Sequence, residues 1–197
     1  MVRALIVRGL RKIGIYGGSF DPIHHAHLIL ARAAREQLGL EKVIFVPAAV
    51  SPFKDKPMAS AETRWLMLRA AVQGEPAFAV DDCELRRAPP SYAIDTVQDI
   101  QSREPEAEIY FLIGNDNVPT LGKWHRFRDL DELVHFVVLD RAGIDVKHPY
   151  ETVQRKVDIS ATEIRNRVAS GQSIRYLVPT AVEEIIRQGS LYREQAT

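Results

Sequence analysis

Two histidines, His24 and His27, follow a glycine-rich turn at residues 17–22 and are the residues that most clearly point to chemistry. An apolar run at residues 13–16 precedes the turn, and a segment with helical periodicity at residues 28–38 follows it. A strand, a glycine turn and a helix start place backbone N–H groups and a positive helix dipole where a phosphate can bind. Residues three apart lie on one side of a helix, so we expect both imidazoles to face this anion site. The pattern indicates chemistry on a nucleotide.

The rest of the chain provides a frame for this turn. Short apolar runs recur at residues 13–16, 43–46, 78–80, 109–113 and 136–139. Such runs are typical of parallel strands covered on both faces, and helix-period segments lie between them. The alternation predicts an α/β fold, a Rossmann-like doubly wound parallel sheet, with a helical C-terminal part from about residue 160. Ligands of such sheets bind beyond the carboxyl ends of the strands, where Gly17, Pro47, Gly114 and Arg141 fall.

Helix starts can be predicted from capping residues. Ser91 is a candidate N-cap for the helix that carries Ile94 and the stripe after it. Two S/T-x-x-E capping boxes follow in the C-terminal part, at residues 160–163 and 180–183. The first of these predicts a helix that begins at Ser160.

Composition narrows the class of protein. The 26 basic and 26 acidic side chains of the 197 residues cancel, so the overall charge gives no reason to expect nucleic acid or a membrane as partner. Cys83 is the sole cysteine, which excludes an internal disulfide and fits a cytoplasmic protein. No apolar run approaches the roughly 20 residues of a membrane span. We expect one domain over residues 12–197, and read residues 1–11 as an N-terminal extension without an assigned function.

Residues 17–28, GGSFDPIHHAHL, resemble the first motif of the nucleotidyltransferase superfamily, two histidines around a small residue (H-x-G-H). The amino-acid sequence of this segment is most similar to that of the nicotinate-nucleotide adenylyltransferases. The late motif of that family is matched by ISATEIR at residues 159–165. Further matches occur at residues 91–96, 111–116, 123–125, 177–179 and 189–192. The resemblance therefore runs from about residue 12 to residue 192.

The resemblance implies an activity and a set of catalytic residues. The family transfers the adenylyl group of ATP to nicotinate mononucleotide and releases pyrophosphate, as a step of NAD biosynthesis. By resemblance, His24 and His27 donate hydrogen bonds to the phosphates, and Lys54 and Arg165 grip the pyrophosphate part. Mg²⁺ is expected to arrive bound to ATP, because the sequence shows no dedicated carboxylate cage. No metal ligand is assigned.

The resemblance also divides the remaining site residues between the two substrates. The residues expected to bind ATP are Gly17, Gly18, Ser19, Phe20, Gly114, Asp116, Ile159, Ser160 and Thr162. Those expected to bind the nicotinate nucleotide are Ser91, Tyr92, Ile94, Trp124 and His125. Among the latter, Trp124 would stack on the pyridine ring, and backbone N–H groups around Ile94 and His125 would meet its carboxylate.

Three positions depart from the family pattern and keep alternatives open. Ala26 replaces the glycine between the histidines, Phe53 replaces a histidine before the lysine, and Ala93 replaces a threonine after Ser91-Tyr92. The missing threonine hydroxyl weakens the choice of nicotinate over nicotinamide. Another adenylyltransferase or cytidylyltransferase of the same superfamily, with nicotinamide mononucleotide or phosphopantetheine as acceptor, remains an alternative. A nucleotide-binding module without catalysis is a further one. The sequence does not distinguish a monomer from a homo-oligomer.

Overall fold

The computed structural model of the chain describes residues 10–49, 58–88, 90–141, 143 and 147–193. Six strands form one sheet in the order β3-β2-β1-β4-β5-β6, and every neighbouring pair is parallel. The strands are β1 (Arg11–Gly18), β2 (Lys42–Pro47), β3 (Phe78–Val80), β4 (Ala107–Gly114), β5 (His135–Asp140) and β6 (Glu151–Gln154). This sheet confirms the predicted fold class, with β1 and β4 at its centre.

Helices connect the strands and cover both faces of the sheet. They are α1 (His25–Leu38), α2 (Ala61–Val72), α3 (Cys83–Arg86), α4 (Ala93–Arg103), α5 (Phe127–Leu133), α6 (Ala161–Ala169) and α7 (Thr180–Gln188). A 3₁₀ helix, Asn115–Lys123, follows β4. The last two helices form the C-terminal helical part predicted from about residue 160. The division into residues 1–11 and one domain over 12–197 stays a prediction, and residues 1–9 lie outside the described residues.

Alternate residues of the first five strands enter two hydrophobic clusters. Tyr16 and Leu112 pack on one face with side chains of α1, α2, α6 and α7. Ile15 and Phe111 pack on the other face with side chains of α3, α4, α5 and the 3₁₀ helix. Both faces are therefore buried, which is why these strands are apolar throughout rather than alternating in the sequence.

Two predicted helix caps are wrong. The N-cap of α4 is Tyr92 and not Ser91, and α7 is preceded by Pro179, so Thr180 is its first helical residue. The hydroxyl of Ser160 does cap α6, because it accepts a hydrogen bond of 3.1 Å from the backbone N–H of Glu163. The strand β6 was not predicted, and no helix in the described ranges is both long and apolar enough to cross a membrane.

The register brings the ends of the central strands to one edge of the sheet. Gly18 pairs with Pro47 at the ends of β1 and β2, and Gly114 pairs with Leu139 near the ends of β4 and β5. The turn after β1 and the 3₁₀ helix after β4 consequently leave the sheet side by side, as the doubly wound arrangement requires.

Candidate active site

The turn after β1 is compact because of its backbone conformation and its aromatic packing. Phe20 has a φ of 47°, in the left-handed region that a non-glycine residue rarely adopts. Its ring packs over Gly18, where an added Cβ would lie 3.0 Å from the ring. The same ring contacts Tyr16 and His27 edge to face, with centroids 5.5 and 5.1 Å away. Gly18 therefore lets the Phe20 ring close the base of the turn.

His24 and His27 stack on one another at the start of α1, with ring centroids 3.7 Å apart and an interplanar angle of 25°. The backbone N–H of His24 donates to Nδ1 of His27 over 3.3 Å, so the proton of a neutral His27 lies on Nε2. The predicted proximity of the two rings is thus observed.

His24 is 2% exposed, and its Nδ1 has no hydrogen-bond partner in the part of the chain that the structure describes. Burial lowers the pKa of His24 to about 3, with smaller contributions from the charges of Arg141 and His25. The imidazole is neutral at pH 7, so it offers a hydrogen-bond donor to a phosphate rather than a full positive charge.

The late helix lies against the same turn. Arg165 on α6 donates to the backbone carbonyl of Asp21 over 2.8 Å and to the hydroxyl of Thr162 over 3.1 Å. The backbone N–H of His25 donates to the carbonyl of Leu177, in the segment before α7, over 3.0 Å. Two distant motifs of the sequence therefore meet beside the glycine turn.

Arg141, which the sequence analysis did not assign to the site, lies beside the late motif. It follows β5 directly, is exposed, and donates to the carbonyl of Ile159 over 2.9 Å, beside the N-cap Ser160. Its charge also contributes to the low pKa of His24. Its position at the carboxyl end of a strand was visible in the sequence, but nothing there indicated that its charge lies close enough to lower the pKa of His24.

Asp116 lies in the 3₁₀ helix, immediately after the end of β4. A Cβ on Gly114 would clash with the carboxylate of Asp116, so the glycine makes room for the Asp116 side chain. Its Oδ1 accepts a hydrogen bond of 3.1 Å from the side chain of Asn117. Burial raises the pKa of Tyr16 in β1, and the Asp116 charge adds to that shift. Asp116 therefore lies at the carboxyl-end edge, near β1.

The residues predicted to bind the nicotinate nucleotide form a second cluster. Tyr92 stacks on the exposed ring of His125, with centroids 4.2 Å apart. Trp124 packs edge to face against Phe111 at 6.1 Å, and Phe111 lies 3.7 Å from the place of a Cβ on Gly17. The ring of Phe111 thus links Trp124 to Gly17, near the end of β1.

Ile94 is fully buried in the core, so its side chain does not reach a ligand and its backbone alone is a candidate. Ser91, at the approach to α4, lies close enough to Glu84 to bond its carboxylate and favour the charged form. Glu84 is 7% exposed and accepts a 2.7 Å hydrogen bond from Thr96, whose oxygen in turn accepts one of 2.6 Å from Arg87. Burial nevertheless raises the pKa of Glu84. This network was not predicted, and it anchors the start of α4.

Lys54, predicted as catalytic, lies outside the described residues. Within the described ranges, one group of side chains is close enough to hold a metal ion: Asp81, Cys83 and Asp99. The Asp81 carboxylate already pairs with Arg103 at 2.6 Å. None of these three residues belongs to the two clusters above.

Comparison with known proteins decides the family. A family model described as cytidylyltransferase-like matches residues 15–167. A probable nicotinate-nucleotide adenylyltransferase from Herpetosiphon aurantiacus is 41% identical over 196 residues, which cover 93% of this chain and 99% of the relative. The chain belongs to the nicotinate-nucleotide adenylyltransferase family. Another member, from Geobacillus thermodenitrificans, is 42% identical over 185 residues, 92% of this chain and 86% of that relative.

A solved structure agrees with this family in its fold. Plasmodium falciparum nicotinic acid mononucleotide adenylyltransferase, complexed with NaAD, has a TM-score of 0.77 at 19% identity and covers 92% of this chain and 97% of its own. Membership of the adenylyltransferase family confirms the resemblance based on residues 17–28 and 159–165. The roles of the individual side chains stay predictions.

Proposed function

We propose that the chain transfers the adenylyl group of ATP to nicotinate mononucleotide, giving nicotinate adenine dinucleotide and pyrophosphate. The observation that carries this proposal is the contact between Arg165 and Asp21, because it brings the late motif to the turn that bears His24 and His27. A nucleoside triphosphate held between the turn after β1 and helix α6 would contact imidazole donors on one side and a guanidinium on the other.

The reaction is a displacement at the α-phosphorus. A phosphate oxygen of nicotinate mononucleotide forms the new P–O bond while the bond from the α-phosphorus to the bridging oxygen breaks, and pyrophosphate leaves with the electron pair. Such a transfer needs positioning and charge stabilisation rather than covalent help from the protein. We assign the donors to His24 and His27, and the grip on the leaving group to Lys54 and Arg165.

The ATP contacts that we propose lie at the carboxyl-end edge of the sheet. We assign phosphate binding to the backbone N–H groups of the turn, Ser19 and Phe20, and to the start of α6, with Ser160 and Thr162. Asp116 would bind a ribose hydroxyl, beside Gly114. The remaining ATP residues of this proposal are Gly17, Gly18 and Ile159, which contribute backbone.

The donor set of this site is imidazole, guanidinium and backbone N–H, which suits phosphate oxygens rather than a resident cation. We therefore propose that the divalent ion, Mg²⁺, enters as part of the Mg-ATP substrate and not on protein ligands. It would screen the charge of the triphosphate, and the protein side chains would orient that triphosphate.

The acceptor would bind at the second cluster. We propose that Trp124 stacks on the pyridine ring and that the first-turn N–H groups of α4, which have no partner inside the helix, meet its carboxylate. The half-buried Tyr92 and the exposed His125, which stack on one another, would border this subsite. Recognition through backbone groups does not need the hydroxyl that Ala93 lacks, and it would preserve a preference for nicotinate.

The test is an incubation of the purified chain with Mg-ATP and either nicotinate mononucleotide or nicotinamide mononucleotide, measuring pyrophosphate and dinucleotide. We expect both products with nicotinate mononucleotide and a much lower kcat/KM with the amide. A higher kcat/KM with the amide would change the acceptor. ATP binding by calorimetry without any pyrophosphate release would indicate a nucleotide-binding module. The expectation of a cytoplasmic enzyme still rests on the single cysteine.

A further inference from the structure

Arg64, on α2, is a buried cation behind the turn that follows β1. It is 1% exposed and is the largest of the fully buried side chains in the described residues. Its guanidinium donates to the backbone carbonyls of Ser19 at 2.8 Å, Ala48 at 2.7 Å and Ala59 at 3.3 Å. One side chain therefore connects the turn after β1, the loop after β2 and the approach to α2.

The interactions of Arg64 are unusual for a buried charge. Within the described ranges the guanidinium makes no ion pair with a carboxylate, and its bonds go to carbonyl oxygens. Burial lowers its pKa, while the charge of Asp21 nearby opposes that shift. An apolar side chain of similar size would avoid the desolvation cost of a buried cation. The presence of an arginine here points to a task that an apolar residue does not perform.

That task follows from the geometry of one peptide. The Ser19–Phe20 peptide is trans, so its C=O and N–H point in opposite directions. Because the Ser19 carbonyl is bonded to Arg64, the N–H of Phe20 points away from Arg64. Within the described part of the chain, the N–H groups of Ser19 and Phe20 donate to no acceptor. A left-handed φ such as that of Phe20 occurs in the turns in which successive N–H groups form an anion-binding concavity.

We infer that Arg64 is a positioning residue for adenylyl transfer: it locks the Ser19–Phe20 peptide so that the Phe20 N–H faces the phosphates of ATP. The inference rests on the proposed function. Rotation of this peptide by half a turn would replace the N–H with a carbonyl oxygen, which repels a phosphate. The buried positive charge of Arg64 also lies behind the turn, where it favours an anion on the other side.

The first experiment compares Arg64→Met, Arg64→Lys and the control Arg69→Met. Arg69 is on the same helix, but it is exposed and lies over the ring of Trp65 at 4.7 Å. We expect Arg64→Met to raise the Kd of ATP and the KM for ATP about tenfold or more, the range of a charge-assisted hydrogen bond. The Kd of nicotinate mononucleotide should change by less than about twofold. Arg64→Lys should recover part of the loss, since an ammonium group has three donors, and Arg69→Met should match the wild type.

The second experiment removes the N–H itself. Replacement of Phe20 by its α-hydroxy acid gives an ester that keeps the side chain and lacks the donor. We expect the ester to weaken ATP binding in the wild-type background and to weaken it less in the Arg64→Lys background, because lysine holds the peptide in place only in part. A purely structural role for Arg64 would lower the melting temperature and leave this coupling at zero.

Three results would overturn the inference: unchanged ATP binding in both Arg64 variants, equal losses for ATP and nicotinate mononucleotide, or full additivity of the ester and Arg64→Lys. If Arg64→Met does not fold, Arg64→Lys and the ester still decide the question. If the wild type binds ATP but releases no pyrophosphate with the nicotinate nucleotide, the proposed function fails. The ATP binding measurements would still test Arg64.

Discussion

Arg165 and Asp21 are joined by a hydrogen bond of 2.8 Å although 144 positions separate them in the sequence. The guanidinium donates one N–H to the Asp21 carbonyl and another to the Thr162 hydroxyl. Its plane is therefore fixed before any ligand binds. A fixed guanidinium can act on a phosphate without first losing side-chain entropy. This contact makes the late helix part of the first motif's site.

The first prediction concerns this arginine. Arg165→Lys keeps the charge but not the two-way fork, and we expect kcat/KM to fall about a hundredfold, equivalent to about 3 kcal/mol of transition-state stabilisation. Steady-state pyrophosphate release measures the loss. The control is Arg167→Lys on the same helix, whose Nε–H donates to the Ser173 carbonyl at 2.8 Å. Equal effects of the two substitutions would contradict the assignment to Arg165.

The second prediction separates adjacent histidines. His24 is buried against His27, whereas His25 contributes its backbone N–H to the Leu177 carbonyl and keeps its side chain half-buried. We expect His24→Ala to lower kcat about 10²- to 10³-fold, as for the removal of a preorganised donor. His25→Ala should stay within about twofold of the wild type. Circular dichroism and a thermal melt would show that both variants fold, and a fully active His24→Ala would remove its proposed role.

The sequence predicted the frame of the site better than its details. The first five strands are apolar on both faces and were found from their runs, whereas β6 is a short edge strand in which Val153 alone is buried. An edge strand with one buried residue has no apolar run to reveal it. The glycines and histidines of the first motif were visible because their types are specific to the chemistry.

The details that were missed depend on tertiary contacts. The left-handed conformation of Phe20 is one that glycine adopts freely, and no local signal places a phenylalanine there. Arg64 falls among charged and apolar residues of an ordinary helix, so nothing in the pattern indicates that it is buried. Ser91 looked like a cap, but its environment favours a contact with Glu84 instead.

The third prediction is a pH dependence of stability. The folded pKa of His24, about 3, lies below the ordinary value of 6.5, so between these values the unfolded chain binds a proton that the folded chain does not. Its contribution to the free energy of unfolding is complete above pH 6.5 and is lost as the pH falls toward 3, by up to about 1.4 kcal/mol per pH unit. We expect about 2 kcal/mol of loss from this group between pH 7 and pH 5.

Urea unfolding at both pH values would measure this loss. His24→Asn cannot titrate and should flatten the dependence by about that amount. His135→Asn, at the exposed start of β5, is the matched control. A wild type and a His24→Asn variant with the same slope would show that His24 is not the group responsible.

The fourth prediction uses two glycines that differ in their surroundings. Gly114 has a φ of −67° and a ψ of 151°, which any residue adopts, so Gly114→Ala acts solely through the displacement of the Asp116 carboxylate. If Asp116 bonds the ribose of ATP, its displacement should raise the KM for ATP about tenfold or more, the range of a hydrogen bond to a charged group. Gly122→Ala is the control, because a Cβ there meets no atom within 4 Å. An unchanged KM in Gly114→Ala would argue against a ribose contact.

The fifth prediction tests whether the Glu84 network supports the acceptor subsite. Thr96→Val keeps the shape of the side chain, removes the hydroxyl between Glu84 and Arg87, and leaves a buried carboxylate short of one donor. We expect a loss of about 1–3 kcal/mol in the free energy of unfolding, with the exposed Thr180→Val near the wild type. Because Thr96 belongs to the same helix start as Tyr92, the KM for nicotinate mononucleotide should rise more than the KM for ATP. A destabilised variant with both KM values unchanged would make the network a stabilising feature of α4 without influence on the acceptor.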